Sequence, residues 1–277
     1  MATNLPSRVK DALPRGCALL LLIVALGASA ATIDEAMLDR GGEIAYRKAF
    51  APTAESRRLN PETLARARRI ANRLVVSAVN MDGQARRLDW AVNVVSGTVP
   101  DVRIFPGGRI IVTDALVDRA GLADEELGAV LAYAFSHSLL RHDAARVVAP
   151  SQHVSADPNR VMLDYADAVT AAMRDVQFTP EEIAAADRAS IEMLARAAYD
   201  PRSAANAWRR LGGVGKGIVE RSPVTDERLA ALEAAARTSV ALYEETRARA
   251  EAYARSQRPR PPPRITGPQQ RTDPFTR

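Results

Sequence analysis

Cysteine, histidine and aromatic residues are scarce in this chain. Its 277 residues include one cysteine and three histidines, and only 5% are aromatic. A single cysteine cannot form a disulfide within the chain, and it cannot supply a zinc site built from several thiolates. With so few aromatic residues, the core has to be built mainly from Leu, Val, Ile and Ala, which favours helices. The hydrophobic content of 47% and the charged content of 26% are typical of a globular protein.

The first thirty residues have the pattern of a secretory signal peptide. Three basic side chains precede an apolar run from Cys17 to Leu26, and Ala28-Ser29-Ala30 forms a cleavage signal of small residues. The apolar run is shorter than the ~20 residues that cross a bilayer. The sequence therefore predicts an exported protein, periplasmic in a bacterium or else secreted, that is not an integral membrane protein after cleavage. An uncleaved N-terminal anchor is the alternative. Cleavage would also remove Cys17 and exclude thiolate catalysis.

The positive charge is concentrated at the two ends of the chain. The formal charge is +5; residues 1–30 carry three basic and one acidic side chain, and residues 255–277 carry six arginines and one aspartate, which leaves −2 for residues 31–254. A body without basic excess does not support nucleic-acid binding. The Pro- and Arg-rich tail, 255–277, is predicted to be disordered. A second interpretation is that this tail binds an acidic partner or an anionic surface.

Helix start signals recur along residues 31–254, which are predicted to form one domain. A helical lead-in over 31–58 is expected to be interrupted at Gly41-Gly42, and residues 143–160 have a loop-like composition. The glycine-rich stretch Gly212–Gly217 follows a helix and lacks Ser or Thr after its lysine, so it is predicted to be an inter-helix loop, not a phosphate loop. Capping residues and first-turn prolines or acids predict further helix starts at Asn60-Pro61, Asp124-Glu125-Glu126, Thr179-Pro180, Asp200-Pro201 and Thr225-Asp226-Glu227.

A short β segment lies between the second and third predicted helices. Trp90–Val95 and Val102–Phe105 are runs of β-branched and aromatic residues, and Arg109–Val112 is a third. Pro106-Gly107-Gly108 is a turn signal between the last two. The sequence therefore predicts an α+β fold, mainly helical, with a small sheet that contains a hairpin.

Four stretches occur in an order that resembles metallopeptidase family 48, the gluzincins that include HtpX-like, Oma-like and BepA-like zinc peptidases. The first is the Pro-Gly-Gly hairpin with the helix that begins at Asp124, and the second is the rest of that helix, through His137 to its predicted end at Arg141-His142. The third is Ala186-Asp187-Arg188 with Tyr199-Asp200-Pro201, and the fourth is Pro223–Arg228. The match covers about residues 60–245. The resemblance implies a gluzincin-like metallopeptidase domain, with the hairpin sheet against the helix that carries the active site.

In that family, two histidines spaced i, i+4 on one helix and a glutamate on a second helix bind zinc, and the glutamate after the first histidine is the general base. The resemblance places Tyr133 at the first histidine, Ala134 at the base and His137 at the second histidine. It places Ile183 at the third ligand, four residues before Asp187. A later family histidine corresponds to Ser222. His137 is thus the only retained family ligand, so no catalytic site is predicted to be intact and no zinc is expected to bind.

Other roles for these residues stay open. His137 is predicted to be a core histidine, and His142 to be a helix C-terminal histidine turned away from it by about 140°. A rebuilt metal site made of His137, His142, His153 and Asp143 is the alternative. Tyr133 is expected to be a core or rim aromatic, and Asp187 either a retained acid near the site or the partner of a local arginine.

The predicted function is that of an exported pseudopeptidase that binds or chaperones envelope or unfolded proteins without cutting them. Whether the protein is an enzyme is left open by the sequence. The two alternatives are an active zinc metalloendopeptidase with a rebuilt site, and a structural or assembly protein that acts through its basic tail.

Overall fold

The structure, a computed structural model, describes residues 35–49, 59–148, 160–174 and 176–257. Across these ranges, nine α-helices and one small sheet form the fold, which confirms the predicted α+β, mainly helical class. The predicted signal peptide and residues 258–277 of the predicted tail lie outside the described residues. The helices are α1 Glu35–Ala49, α2 Pro61–Met81, α3 Asp124–Leu139, α4 His142–Val148, α5 Val161–Arg174, α6 Pro180–Arg196, α7 Ser203–Gly212, α8 Ile218–Arg221 and α9 Asp226–Ser256.

The sheet has three strands in the order β1-β3-β2. They are β1 Ala91–Val95, β2 Val102–Phe105 and β3 Arg109–Thr113. The antiparallel pair β2–β3 is the predicted hairpin, and β1 runs parallel to β3. Gly107 and Gly108 have φ angles of +90° and +83°, which residues with a Cβ rarely adopt. The glycines therefore explain why the hairpin turns at this point, and they leave β2 as the edge strand that packs against α3.

Helix α1 is continuous through Gly41 and Gly42, so the predicted interruption is wrong. A Cβ atom at Gly41 would lie 3.0 Å from the Tyr165 Cβ atom, and one at Gly42 would lie 2.4 Å from the carbonyl oxygen of Pro106. The glycines thus allow close approach of α1 to α5 and to the hairpin turn. Their helix-weakening effect, about 1 kcal/mol each, is offset by the packing that the approach permits.

Helix α3 ends at Leu139, three residues before its predicted end. Arg141 has a φ of +59°, which reverses the chain, and α4 begins directly after it at His142. Residues 143–148 are therefore helical, and the loop predicted from residue 143 is wrong there. The Ser138 hydroxyl donates to the carboxylate of Asp143 across this turn, at 3.0 Å. His142 therefore starts a new helix and returns toward α3, where the prediction had turned it away. Residues 149–159, including His153, lie outside the described residues.

Three predicted helix starts are confirmed by their hydrogen bonds. The Asn60 side chain accepts from a first-turn N–H of α2 at 3.0 Å. Thr179 and Glu182 exchange the two bonds of a capping box at 2.8 and 3.2 Å in α6. The Thr225 hydroxyl accepts from a first-turn N–H of α9 at 3.1 Å. These helix starts could be predicted from nearby residues alone, because each capping side chain accepts a hydrogen bond from a backbone N–H that has no partner within the helix.

Two further differences concern α7 and α5. Helix α7 begins at Ser203 and not at the predicted Asp200-Pro201, because the Asp200 carboxylate accepts the backbone N–H of Arg202 in a turn that precedes the helix. Helix α5 occupies residues for which no element was predicted. The stretch Gly212–Gly217 joins α7 to α8, as predicted.

Helix α3 passes through the middle of the domain. All residues from Leu127 to Ser138 are buried, and α3 packs against α2, α6, α7 and β2. The family positions on α3 therefore lie in the core. In the described part of the chain, no helix has the length and apolar character needed to cross a membrane.

Candidate functional site

The positions that correspond to the family's metal site are brought together between α3, α6, the Ser222 segment and the start of α9. Tyr133, Ala134 and His137 lie on α3 and are 1%, 0% and 0% exposed. Asp187, on α6, is 6% exposed. The structure thus assembles most of the predicted site residues, but it assembles them as a core.

The Tyr133 hydroxyl lies 2.8 Å from the Ser222 hydroxyl. The resemblance places these two residues at the family's first and last histidines, so a neutral hydrogen bond joins positions for which it implies imidazoles. Burial raises the pKa of Tyr133 to about 12. The phenol therefore stays protonated near neutral pH, which disfavours the phenolate form that would bind a metal.

Asp187 is paired with Arg228 of α9, which corrects the expectation of a local arginine partner. The guanidinium donates to both carboxylate oxygens, at 2.8 and 2.9 Å, and also to the carbonyl oxygen of Ser222 at 2.9 Å. Its carbon atom lies 3.9 Å from the centroid of the Trp208 ring. A two-pronged pair of this kind is the strongest form of arginine–carboxylate contact, and here it ties α6 to α9 and to the Ser222 segment.

His137 is enclosed by aromatic rings. The Phe178 ring stacks on its imidazole with 3.7 Å between centroids, and the Tyr133 ring meets its edge at 4.6 Å. Its Nδ1 atom lies 3.0 Å from Nδ1 of His142, whereas its Nε2 atom is buried without a hydrogen-bond partner among the described residues. Burial and the nearby His142 lower the pKa of His137 to about 2. The predicted core environment of His137 is what the structure shows.

The proposed rebuilt metal site is only partly assembled. His142 contacts His137, but the Asp143 carboxylate is bonded to Ser138 and to the N–H of Ala144. Burial raises the pKa of Asp143 to about 6. His153 lies outside the described residues. Among the residues that the structure describes, no group of three His, Cys, Asp or Glu side chains is placed to hold a metal ion.

The cleft between α3 and the edge strand β2 is filled by side chains that the sequence did not single out. Met173, Val176 and Phe178 approach Ala134 there and leave a void of about 20 Å³. A void of that size holds about one water molecule. No signal in the sequence pointed to these three residues, because Met173 lies near the end of α5 and the other two follow it, in a segment without a motif.

Ile183, at the position of the family's third ligand, is half-buried. It lies on α6 and lines an open groove between α6 and α9, together with Phe178 and Asp187. Its side chain offers no atom that binds a metal.

Comparison with known proteins agrees with this arrangement of elements. The model of peptidase family M48 matches residues 61–236. This chain belongs to peptidase family M48. The mitochondrial metalloendopeptidase OMA1 of Schizosaccharomyces pombe is similar over 164 residues at 23% identity, which cover 53% of this chain and 46% of that protein. The chain thus spans about half the length of this curated M48 relative.

M48 proteins are zinc metallopeptidases, so the fit of zinc to these residues can be tested directly. Zinc in a catalytic site needs about three nitrogen, oxygen or sulfur ligands and an open position for water. Here Tyr133 and Ile183 offer no suitable ligand, and the free Nε2 atom of His137 lies in a closed aromatic environment. The residues at the M48 metal position do not fit zinc.

Proposed function

We propose that this M48 protein binds other proteins without hydrolysing them. In this proposal it is exported, to the periplasm of a bacterium, and its clients are envelope or unfolded proteins. It needs no zinc for that role. The family fold is retained while the groups that would hold the metal and take a proton from water are replaced by groups that cannot.

One observation carries the proposal: a hydrogen-bonded cluster takes the place of the metal ligands. Tyr133 bonds to Ser222, and Arg228 bonds to Asp187 and to the carbonyl oxygen of Ser222. A divalent cation beside the Arg228 guanidinium would be repelled by its charge. Ala134, at the position of the general base, has no group that can accept a proton.

The first test is the zinc content of the purified full chain after incubation with zinc and desalting, together with cleavage of casein with and without a chelator. We expect almost no retained zinc and no cleavage that the chelator removes. About one zinc per chain with chelator-sensitive cleavage would show that the proposal is wrong and that other ligands have rebuilt the site.

A matched variant provides the positive control for this measurement. Tyr133→His, Ala134→Glu and Ile183→Glu introduce the family's residue types, and Phe178→Ala uncovers His137. We expect this variant, if folded by circular dichroism, to retain more zinc than the unmodified chain. Equal, stoichiometric zinc in both proteins would contradict the proposal.

The client-binding part has its own test. We expect the full chain to suppress aggregation of a heat-unfolded enzyme such as malate dehydrogenase, measured by light scattering, equally well with and without EDTA. A variant that ends at Ala254 should act equally well. If suppression depends on salt and is lost in the truncated variant, the result would favour a role through the basic tail. If the full chain does not suppress aggregation, the result would contradict client binding.

A further inference from the structure

A groove of about 760 Å³ runs along the outer side of the filled metal position, between the N-terminal halves of α6 and α9. Phe178, Pro180, Pro223 and Leu232 are among the apolar residues that line it. Its volume falls within the range of roughly 300–1,000 Å³ that is typical of small-molecule sites.

The groove is open because small side chains face it. Ala231, Ala234 and Ala235 lie three and four residues apart on α9, so they share one face of that helix, and Ala184 of α6 also lines the groove. Side chains with only a methyl group leave the space between the helices unfilled. The resulting surface is mainly apolar and sterically open, and it would contact an apolar chain along its whole length.

Among the described residues, two of the charged side chains around the groove have no ion-pair partner, and they are Glu227 and Arg188. Arg228 is paired with Asp187, and Arg221 is paired with Asp101. The Glu227 carboxylate accepts hydrogen bonds from its own backbone N–H and from Thr225, which lower its pKa. Arg188 lines the groove and is exposed.

Within the described residues, Arg188 makes no hydrogen bond or ion pair. Since the Glu227 carboxylate already accepts hydrogen bonds from its own backbone N–H and from Thr225, the unused hydrogen-bonding capacity at the groove belongs to the Arg188 guanidinium. A ligand that fits this surface combines an apolar chain with an anionic head group.

We infer that this groove binds a single-chain amphiphile with an anionic head, of the fatty-acid type, with the carboxylate at Arg188 and the chain along the alanine face of α9. A head group at Arg188 would gain a charge-assisted hydrogen bond, and each buried methylene would add apolar contact. The inference does not rest on the proposed function, because Arg188 and the alanine face of α9 are not among the positions that the resemblance assigns to the metal site.

The test is binding of dodecanoate to the full chain in EDTA, below the micellar concentration, measured by calorimetry. Affinity should increase by about fourfold per methylene from octanoate to dodecanoate if the chain is buried. Dodecylamine, with the same chain and the opposite charge, should bind at least about tenfold more weakly. Equal affinity for the two head groups, or no saturable binding, would overturn the inference.

Two pairs of variants locate the site. Ala234→Phe fills the groove and should reduce dodecanoate affinity by tenfold or more, on the order of one large side chain's contact, whereas Ala230→Phe, on α9 outside the groove, should not. Arg188→Gln should reduce affinity for dodecanoate by about fivefold and leave dodecylamine unchanged, with Arg237→Gln as the control.

If a variant and its control lose the same amount of dodecanoate affinity, the result would contradict binding at this groove. Displacement of a groove-bound dye by an apolar acidic peptide but not by dodecanoate would show that the occupant is a peptide. Because these measurements are made in EDTA and involve no cleavage, their failure leaves the zinc test of the proposed function unaffected.

Discussion

The filled metal position and the open groove share Phe178 and the Arg228–Asp187 pair, and they differ in how their other side chains use space. At the metal position, Tyr133 and Trp208 are large and buried, and the polar groups are hydrogen-bonded to one another apart from Nε2 of His137. In the groove, alanines leave space and Arg188 has no partner among the described residues. The comparison suggests that stability comes from the first region, while the second is free to bind a ligand.

The largest effect is expected on the filled side, from Arg228→Ala. This variant leaves the Asp187 carboxylate buried and unpaired, so the free energy of unfolding should fall by about 3–5 kcal/mol. Urea denaturation measures the change. Arg209→Ala breaks an ion pair in which both side chains are about half exposed and should cost less than about 1 kcal/mol. Comparable losses in the two variants would contradict a structural role for the Arg228 pair.

A pH-dependent effect is expected from His137. Its pKa of about 2 in the folded protein lies below the value of 6.5 expected when unfolded, so its contribution to stability is present above pH 6.5 and is lost as pH falls. At pH 5 the loss is about 2 kcal/mol. Leucine does not titrate. Between pH 8 and pH 5, the free energy of unfolding of His137→Leu should therefore fall by about 2 kcal/mol less than that of the unmodified chain. Urea midpoints at the two values test this, and an unchanged pH dependence would contradict the buried neutral state.

A smaller effect is expected from the hydrogen bond between Tyr133 and Ser222. Tyr133→Phe should lower the free energy of unfolding by about 1 kcal/mol, because the Ser222 hydroxyl loses its partner. Ser222→Ala should cost a similar amount. In a double-mutant cycle, the second substitution should cost little once the first is present. Fully additive losses would show that the two hydroxyls do not interact.

The smallest effect is expected in the groove. Ala234→Leu adds apolar volume to open space and removes no contact, so the unfolding free energy should change by less than about 0.5 kcal/mol. Thermal unfolding gives the value. A loss of several kcal/mol would mean that the groove is tightly packed, and the distinction between the two regions would fail.

The sequence predicted elements whose signals are local. Thr179 and Glu182 identified the start of α6 because the two hydrogen bonds of a capping box need only four residues. The turn at Gly107-Gly108 was predictable for a similar reason. The interruption at Gly41-Gly42 was predicted wrongly, because their packing against Tyr165 and Pro106 depends on residues far away in the chain.

For the candidate site, the order of motifs identified the family and the replaced positions Tyr133, Ala134, His137 and Ile183. Those are properties of residue type and spacing. The motif Pro223–Arg228 was also recognised, but the partner of Asp187 was not. A buried carboxylate requires a partner, yet which of 38 basic residues would supply it could not be read from the sequence.

The sequence by itself determined the fold family, and it predicted that the residue types that bind zinc are replaced, because capping, periodicity and motif spacing act over short stretches of chain. Only the tertiary structure decided what replaced the metal and where space remained. The Arg228–Asp187 pair, the Phe178 ring on His137 and the groove beside α9 each depend on side chains that meet from distant segments. Their packing distances and their buried charges follow from the three-dimensional arrangement of those segments.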